Sequence, residues 1–132
     1  ERNDLAYGLI TKGLKSLAKE LNCPVILLTQ LNRSLESRAD KRPLPSDSRD
    51  TGQIEQDVDL WIGIYKESVY DEAVYMPGLM ELLVRLNRHG GTGTAFVEMK
   101  EGFIKPVSLE EGRRIVNHRE TQKGSGDFKY ES

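Results

Sequence analysis

Between residues 4 and 22 the chain places Leu5, Leu9, Ile10, Leu14, Leu17, Ala18 and Leu21 at mostly three- and four-residue intervals. Lys12, Lys15, Lys19 and Glu20 fall on the opposite side. That period predicts an amphipathic helix. Asn3 or Asp4 can cap its start, and Asn22-Cys23-Pro24 ends it. The segment from Val25 to Gln30 is apolar without alternation, as expected for a strand buried on both faces. A helix feeding such a strand is half of an α/β unit.

From Leu31 to Gly52 the apolar signal vanishes. Arg33, Arg38, Lys41, Arg42 and Arg49 stand against Glu36, Asp40, Asp47 and Asp50. A solvated surface loop explains this, yet a loop of about twenty residues within a compact domain is usually functional or disordered. Strand patterns then return at 58–65, 80–86, 94–99 and 103–107, with Lys100-Glu101-Gly102 as a hairpin turn. After Ser108 the sequence becomes charged and small, which predicts a short helix at best and then a flexible tail over 109–132. An α/β first part thus feeds an antiparallel-edged second part around one core.

With 132 residues the chain makes one domain or part of one. Its 37% hydrophobic content, with 12 glycines, excludes collagen-like and fully disordered classes. The net charge of -2 excludes a strongly basic nucleic-acid coat, though not a local basic strip. Cys23 is alone, so no intrachain disulfide or cysteine zinc cluster can form. Its buried-looking setting fits a reducing compartment. No apolar run approaches membrane-span length. The chain opens at Glu1, without methionine, inside a predicted helix, which suggests a piece of something larger.

Several positions could carry chemistry. Thr29 and Gln30 end a buried strand, where open α/β sheets bind ligands; Gln30 could equally satisfy backbone groups there. Arg49-Asp50-Thr51-Gly52 is a glycine-containing corner able to offer N–H groups and a guanidinium to phosphate. Arg88 closes the third predicted strand before His89-Gly90-Gly91, and its fixed guanidinium suits either phosphate recognition or an exposed hairpin turn. Two scattered histidines make no metal site, and no phosphate-binding G-x-x-x-x-G-K-[ST] loop exists in the chain.

The run LTQLNRSLESRADKRP over 28–43, followed by SDSRDTGQIEQDVD over 46–59, resembles the DnaB-type replicative DNA helicases. GLKSLAKELNCPV before it, and YKESVY and NRHGGTGT after it, are similar to the same family. The resemblance covers about residues 3–107.

It implies an α/β fold: a partial RecA-like ATPase of the P-loop NTPase class, lacking its Walker A and Walker B part, with a mixed sheet and antiparallel edge strands. Residues 1–108 would be the carboxyl-terminal part of the motor domain. The intact protein would be a homo-hexamer that hydrolyses ATP with Mg2+ and moves 5′ to 3′ on single-stranded DNA. Primase and a helicase loader would be partners, the membrane would not, and a bacterial cytoplasm, or a phage protein within it, would be the setting. By the same resemblance Gln30 is a phosphate sensor, and Arg49, Asp50 and Gly52 contact the DNA backbone. Arg88 is the arginine finger reaching the neighbouring subunit's ATP. The family usually has Glu at position 50 and Lys at position 86, where this chain has Asp50 and Leu86; Arg85 could replace that lysine only by changing strand face. The phosphate loop and magnesium-binding aspartate are expected before Glu1, so this chain alone should be inactive and hold no nucleotide tightly. Two other readings fit the bare residues: a non-enzymatic DNA-binding or interaction module of this fold, and a recombination or signalling ATPase.

Overall fold

The computed structural model describes residues 2–48 and 52–131. Its elements are α1 (Arg2–Leu21), α2 (Gly52–Asp57), β1 (Leu60–Tyr65), β2 (Leu79–Asn87), β3 (Gly93–Lys100), β4 (Phe103–Val107) and α3 (Leu109–Glu131). The strands form a sheet in the order β1-β2-β3-β4. All four match predicted strands. The chain divides into two compact units, Glu1–Gly63 with Leu83–Gly93, and Ile64–Leu82 with Thr94–Ser132.

In the first unit α1 ends where its sequence indicates. Asn22 adopts a left-handed φ of 51°. The Asn22 N–H donates to the Lys19 carbonyl at 3.3 Å and the Cys23 N–H to that of Ala18 at 3.1 Å. These two bonds make a Schellman cap, with Pro24 preventing continuation. Cys23 itself is exposed, contrary to the buried setting expected of it.

Val25 to Gln30 does not join a ladder, which corrects the expected strand. Ile26 is 86% and Leu28 89% exposed. A strand exists only through its neighbours' hydrogen bonds, and among the described residues no strand ladder includes this segment. The next stretch, expected to be irregular, is ordered by its own bonds. Leu31 and Ser48 form an antiparallel bridge, and the Asn32 N–H donates to the Asp47 carbonyl at 2.7 Å. Short 3-10 turns lie at Arg33–Ser37 and Pro45–Asp47, with Leu35 buried beneath. Close ends and a self-packed interior define an Ω-loop.

In the second unit β3 and β4 pair antiparallel, from Phe96 opposite Val107 to Lys100 opposite Phe103. Glu101 at φ 52° and Gly102 at φ 81° make the two-residue turn. Two positive φ values match the right-handed twist of the strands, and Gly102 adopts its value without a Cβ penalty. Leu79, Phe96 and Ile115 form the core, with Met76, Val107 and Val116 against it.

Ile115 belongs to α3, so residues from 109 do not begin a separate tail as the sequence suggests. At Gly112 an added Cβ would sit 2.3 Å from the Phe96 ring, so only glycine lets the helix lie that close. Further along, the Arg119 Nη2 donates to the carbonyls of Tyr75 at 2.6 Å and Met76 at 3.0 Å. Lys123 pairs with buried Glu67, which also accepts from the Tyr65 hydroxyl. A helix anchored by Gly112, Ile115, Val116 and polar side chains carries almost no apolar period, which is why its sequence reads as a tail.

Candidate functional site

The site is built from three stretches of the first unit: the Ω-loop, α2 with the turn after it, and the end of β2. Asp47 holds the Ω-loop closed. Its Oδ1 accepts from Arg38 Nη1 at 2.8 Å, and its Oδ2 from Arg38 Nη2 at 2.7 Å and the Leu44 N–H at 2.8 Å. Burial alone would raise the Asp47 carboxyl, but the hydrogen bonds from Arg38 and Leu44 and the Arg38 charge outweigh it, so it lies below the ordinary carboxylate range. The bond to Asp47 raises Arg38 above its usual value, against the opposing effect of burial. Arg38 Nη2 also donates to the Arg42 carbonyl at 3.1 Å.

Next in sequence, Ser48 is fully buried, and its hydroxyl accepts from the Trp61 indole N–H at 2.9 Å. The root of the loop is therefore fixed to β1. Two predicted DNA contacts, Arg49 and Asp50, lie outside the described residues. The third, Gly52, is the first residue of α2.

This helix runs directly from that corner to Asp57. It packs on α1, where the Thr11 hydroxyl donates to Asp57 Oδ2 at 2.7 Å and Lys15 Nζ to the Asp57 carbonyl at 3.1 Å. Its buried Ile54 provides the apolar contact.

Arg88 reaches the far end of α2. Its Nη2 donates to the carbonyls of Gln56 at 2.9 Å and Val58 at 3.2 Å, and its Nη1 to Asp59 Oδ1 at 3.0 Å. The Arg88 backbone N–H donates to the Asp59 carbonyl at 2.8 Å. A guanidinium beside the last carbonyls of a helix satisfies acceptors that have no intrahelical donor. These side-chain bonds use three of the roughly five N–H donors an arginine offers. The side chain remains 41% exposed.

The other expected residues are arranged differently. Gln30 and Thr29 border an open surface depression with Tyr7, Ile10 and Ile54. Gln30 also immediately precedes Leu31, the residue bridged to Ser48. Arg85 is exposed on β2 and has no ion-pair partner among the described residues, while Leu86 is half-buried. Among the described residues no three His, Cys, Asp or Glu side chains converge to hold a metal ion. None of their helices is long and apolar enough to cross a membrane.

The structure thus joins Arg88 to the helix that begins at Gly52. Sequence reasoning missed Asp59 and the Arg38–Asp47 clamp, because both sit in charge-rich stretches where nothing marks one acid from the next. The repeated acids of QDVD, immediately before an apolar strand, were the only available signal.

The family model for the DnaB-like helicase C terminal domain matches residues 2–106. The replicative DNA helicase DnaB of Pasteurella multocida (strain Pm70) is 46% identical over 115 residues, which is 87% of this chain and 25% of that protein. Among solved structures, an ATPase domain superposes with a TM-score of 0.72 and 35% identity, covering 76% of this chain and 36% of that one. A DnaB-like replicative helicase, solved in a study of its interactions with primase, gives the same score and identity over 76% of this chain and 25% of its own. The chain spans about a fifth to a quarter of the length of the curated relatives it matches.

Proposed function

The chain belongs to the DnaB-like helicase C-terminal domain family, and on that premise we propose that the intact protein is a hexameric, ATP-driven replicative DNA helicase. Its fold is that of part of the RecA-like ATPase domain of DnaB-like helicases. The family's use of nucleotide and Mg2+ supplies the hydrolysis, with the phosphate loop and metal-binding residues on stretches outside this chain. What this chain contributes is the DNA-facing corner at Arg49, Asp50 and Gly52, the sensor Gln30 and the trans arginine Arg88.

The observation that carries the reading is the anchored Arg88. It sits at the end of a strand, is held by three acceptors, and keeps exposed surface and donors in reserve. That donor set fits the terminal phosphate of a nucleotide held by the next subunit. Arginines in that role stabilise developing charge and are worth on the order of 10³–10⁵ in rate. Contacts from 49–52 to the DNA backbone rather than to bases suit a motor that must pass any sequence. Arg85, three residues earlier on β2, would add a second nucleotide contact only by changing strand face. Single-stranded DNA is the track, and primase and a loader are the partners, in a bacterial or phage-infected cytoplasm. Residues 109–132 lie beyond the stretch that the family model matches, and their Ile115 and Val116 pack into the core of the second unit.

Steady-state hydrolysis by the intact protein tests this. Turnover should require ATP and Mg2+, rise with single-stranded DNA, and fall by at least about 10³-fold in Arg88→Ala while the ring and nucleotide binding persist. Turnover in Arg88→Ala equal to wild type would refute the assignment.

A further inference from the structure

We propose that Asp59 is a positioning residue for Arg88, holding the guanidinium on the end of α2 so that its remaining donors meet an acceptor outside the subunit. The inference rests on the reading of Arg88 as the trans arginine.

Asp59 holds Arg88 twice. Its carbonyl accepts the Arg88 backbone N–H at 2.8 Å, and its carboxylate accepts Nη1 at 3.0 Å. The other two acceptors, the carbonyls of Gln56 and Val58, belong to the same turn. All four bonds therefore come from one short arc, residues 56–59. An arginine projecting from a strand end samples many rotamers, and each must be frozen before it can act. Fixing it beforehand moves that entropy cost out of the catalytic step. The carboxylate is the one charged member of the arc. Without it the two carbonyls grip only Nη2, and the guanidinium can swing about that nitrogen.

A parked arginine, held away from use, would look different. It would be buried with its donors consumed, whereas Arg88 is 41% exposed and has committed three. Lys15 shares the same carboxylate oxygen, at the longer distance of 3.4 Å. It is therefore a natural control, since its loss removes a partner of Asp59, and a bond to the Asp57 carbonyl, without touching Arg88. The arrangement has a second consequence. Because α2 starts at Gly52 and ends at the arc that holds Arg88, six residues link the proposed DNA corner to the arginine within one subunit. At about 1.5 Å rise per residue the link is roughly 9 Å long.

The test uses the intact hexamer on single-stranded DNA, with ATP varied. Asp59→Ala should lower kcat by about 10- to 100-fold, the scale of a displaced catalytic group, while KM for ATP stays within about twofold. Lys15→Ala should stay near wild type in kcat. Should Asp59→Ala fail to assemble, Asp59→Asn keeps the shape, removes the charge and should lower kcat in the same direction. In an Arg88→Ala background, Asp59→Ala should cause no further loss, because it acts through the arginine alone. The proposal is overturned if either Asp59 variant leaves kcat unchanged or raises it, or if the loss persists undiminished without Arg88. Wild-type turnover in Arg88→Ala would instead bring down the trans-arginine reading and this one with it, and that result is read before any Asp59 variant is made.

Discussion

Replacing Asp47 with alanine should open the Ω-loop without unfolding its surroundings. The carboxylate accepts three N–H donors, two from Arg38 and one from Leu44. Hydrogen bonds to a charged group contribute about 1.5–3 kcal/mol each when buried, but they are not additive here. Arg38 is about one-third exposed, so its two bonds are discounted for solvent screening. The Leu44 N–H loses its partner outright. A total of roughly 2–4 kcal/mol follows. At about 1.4 kcal/mol per factor of ten, local opening should become roughly 30- to 800-fold more frequent. Hydrogen exchange on the intact protein reads this directly from peptides covering 31–48, including the amides of Asn32, Arg38 and Ser48 that close the loop. Exchange in α3 should not change, since opening of the loop is local. Protection across 31–48 within a factor of about three of wild type would show that the bridge and 3-10 turns hold without the clamp, and the reasoning would fail.

Other perturbations give outcomes of defined sign. Gly112→Ala should lower the unfolding midpoint, with overpacking against Phe96 costing about 1–3 kcal/mol, whereas Gly13→Ala should raise it by up to about 1 kcal/mol because nothing lies within 4 Å of its added Cβ. A stabilised Gly112→Ala would contradict the close helix approach. Because the Asp47 carboxyl is depressed in the folded chain, its stabilisation is fully present above the ordinary carboxylate value of about 3.9 and is lost as pH falls through the lower folded value. Emission from Trp61, the chain's one tryptophan, reports the loop root; it should shift only below that range, and a shift near pH 5–6 would oppose the assignment. Arg49→Ala should weaken single-stranded DNA binding equally for all sequences and reduce the salt slope by roughly 0.7, as for one phosphate contact. Loss confined to one sequence would make Arg49 a base reader.

Periodicity located α1, and Asn22-Cys23-Pro24 marked its end, because both signals are local in sequence. The β3–β4 hairpin was equally legible, since Glu101-Gly102 and the flanking apolar pattern are local. Val25 to Gln30 shows the limit of that logic. Its composition describes an environment, burial on both faces, that among the described residues no neighbour supplies. The Ω-loop shows the converse: its order comes from Arg38 meeting Asp47 and Trp61 meeting Ser48, pairs nine and thirteen residues apart that no short-range rule connects. Within the site, Arg88 was legible as a candidate from its place before His89-Gly90-Gly91 and from family resemblance. What holds it was not, because the Asp59 contact spans 29 residues.

Mixed rings test the trans role of Arg88 most directly. Subunits carrying Arg88→Ala are combined with subunits whose upstream phosphate-loop lysine is replaced, and mixing is confirmed by native mass spectrometry. Neither homogeneous ring should turn over. In mixed rings some interfaces join an intact arginine to a neighbour's intact phosphate loop, so DNA-stimulated hydrolysis should partly return, in proportion to those interfaces. Dilution of each mutant into wild type fixes how many intact interfaces a ring needs. Rings shown to be mixed, and within that tolerance, that still hydrolyse nothing would contradict an arginine acting across the subunit boundary.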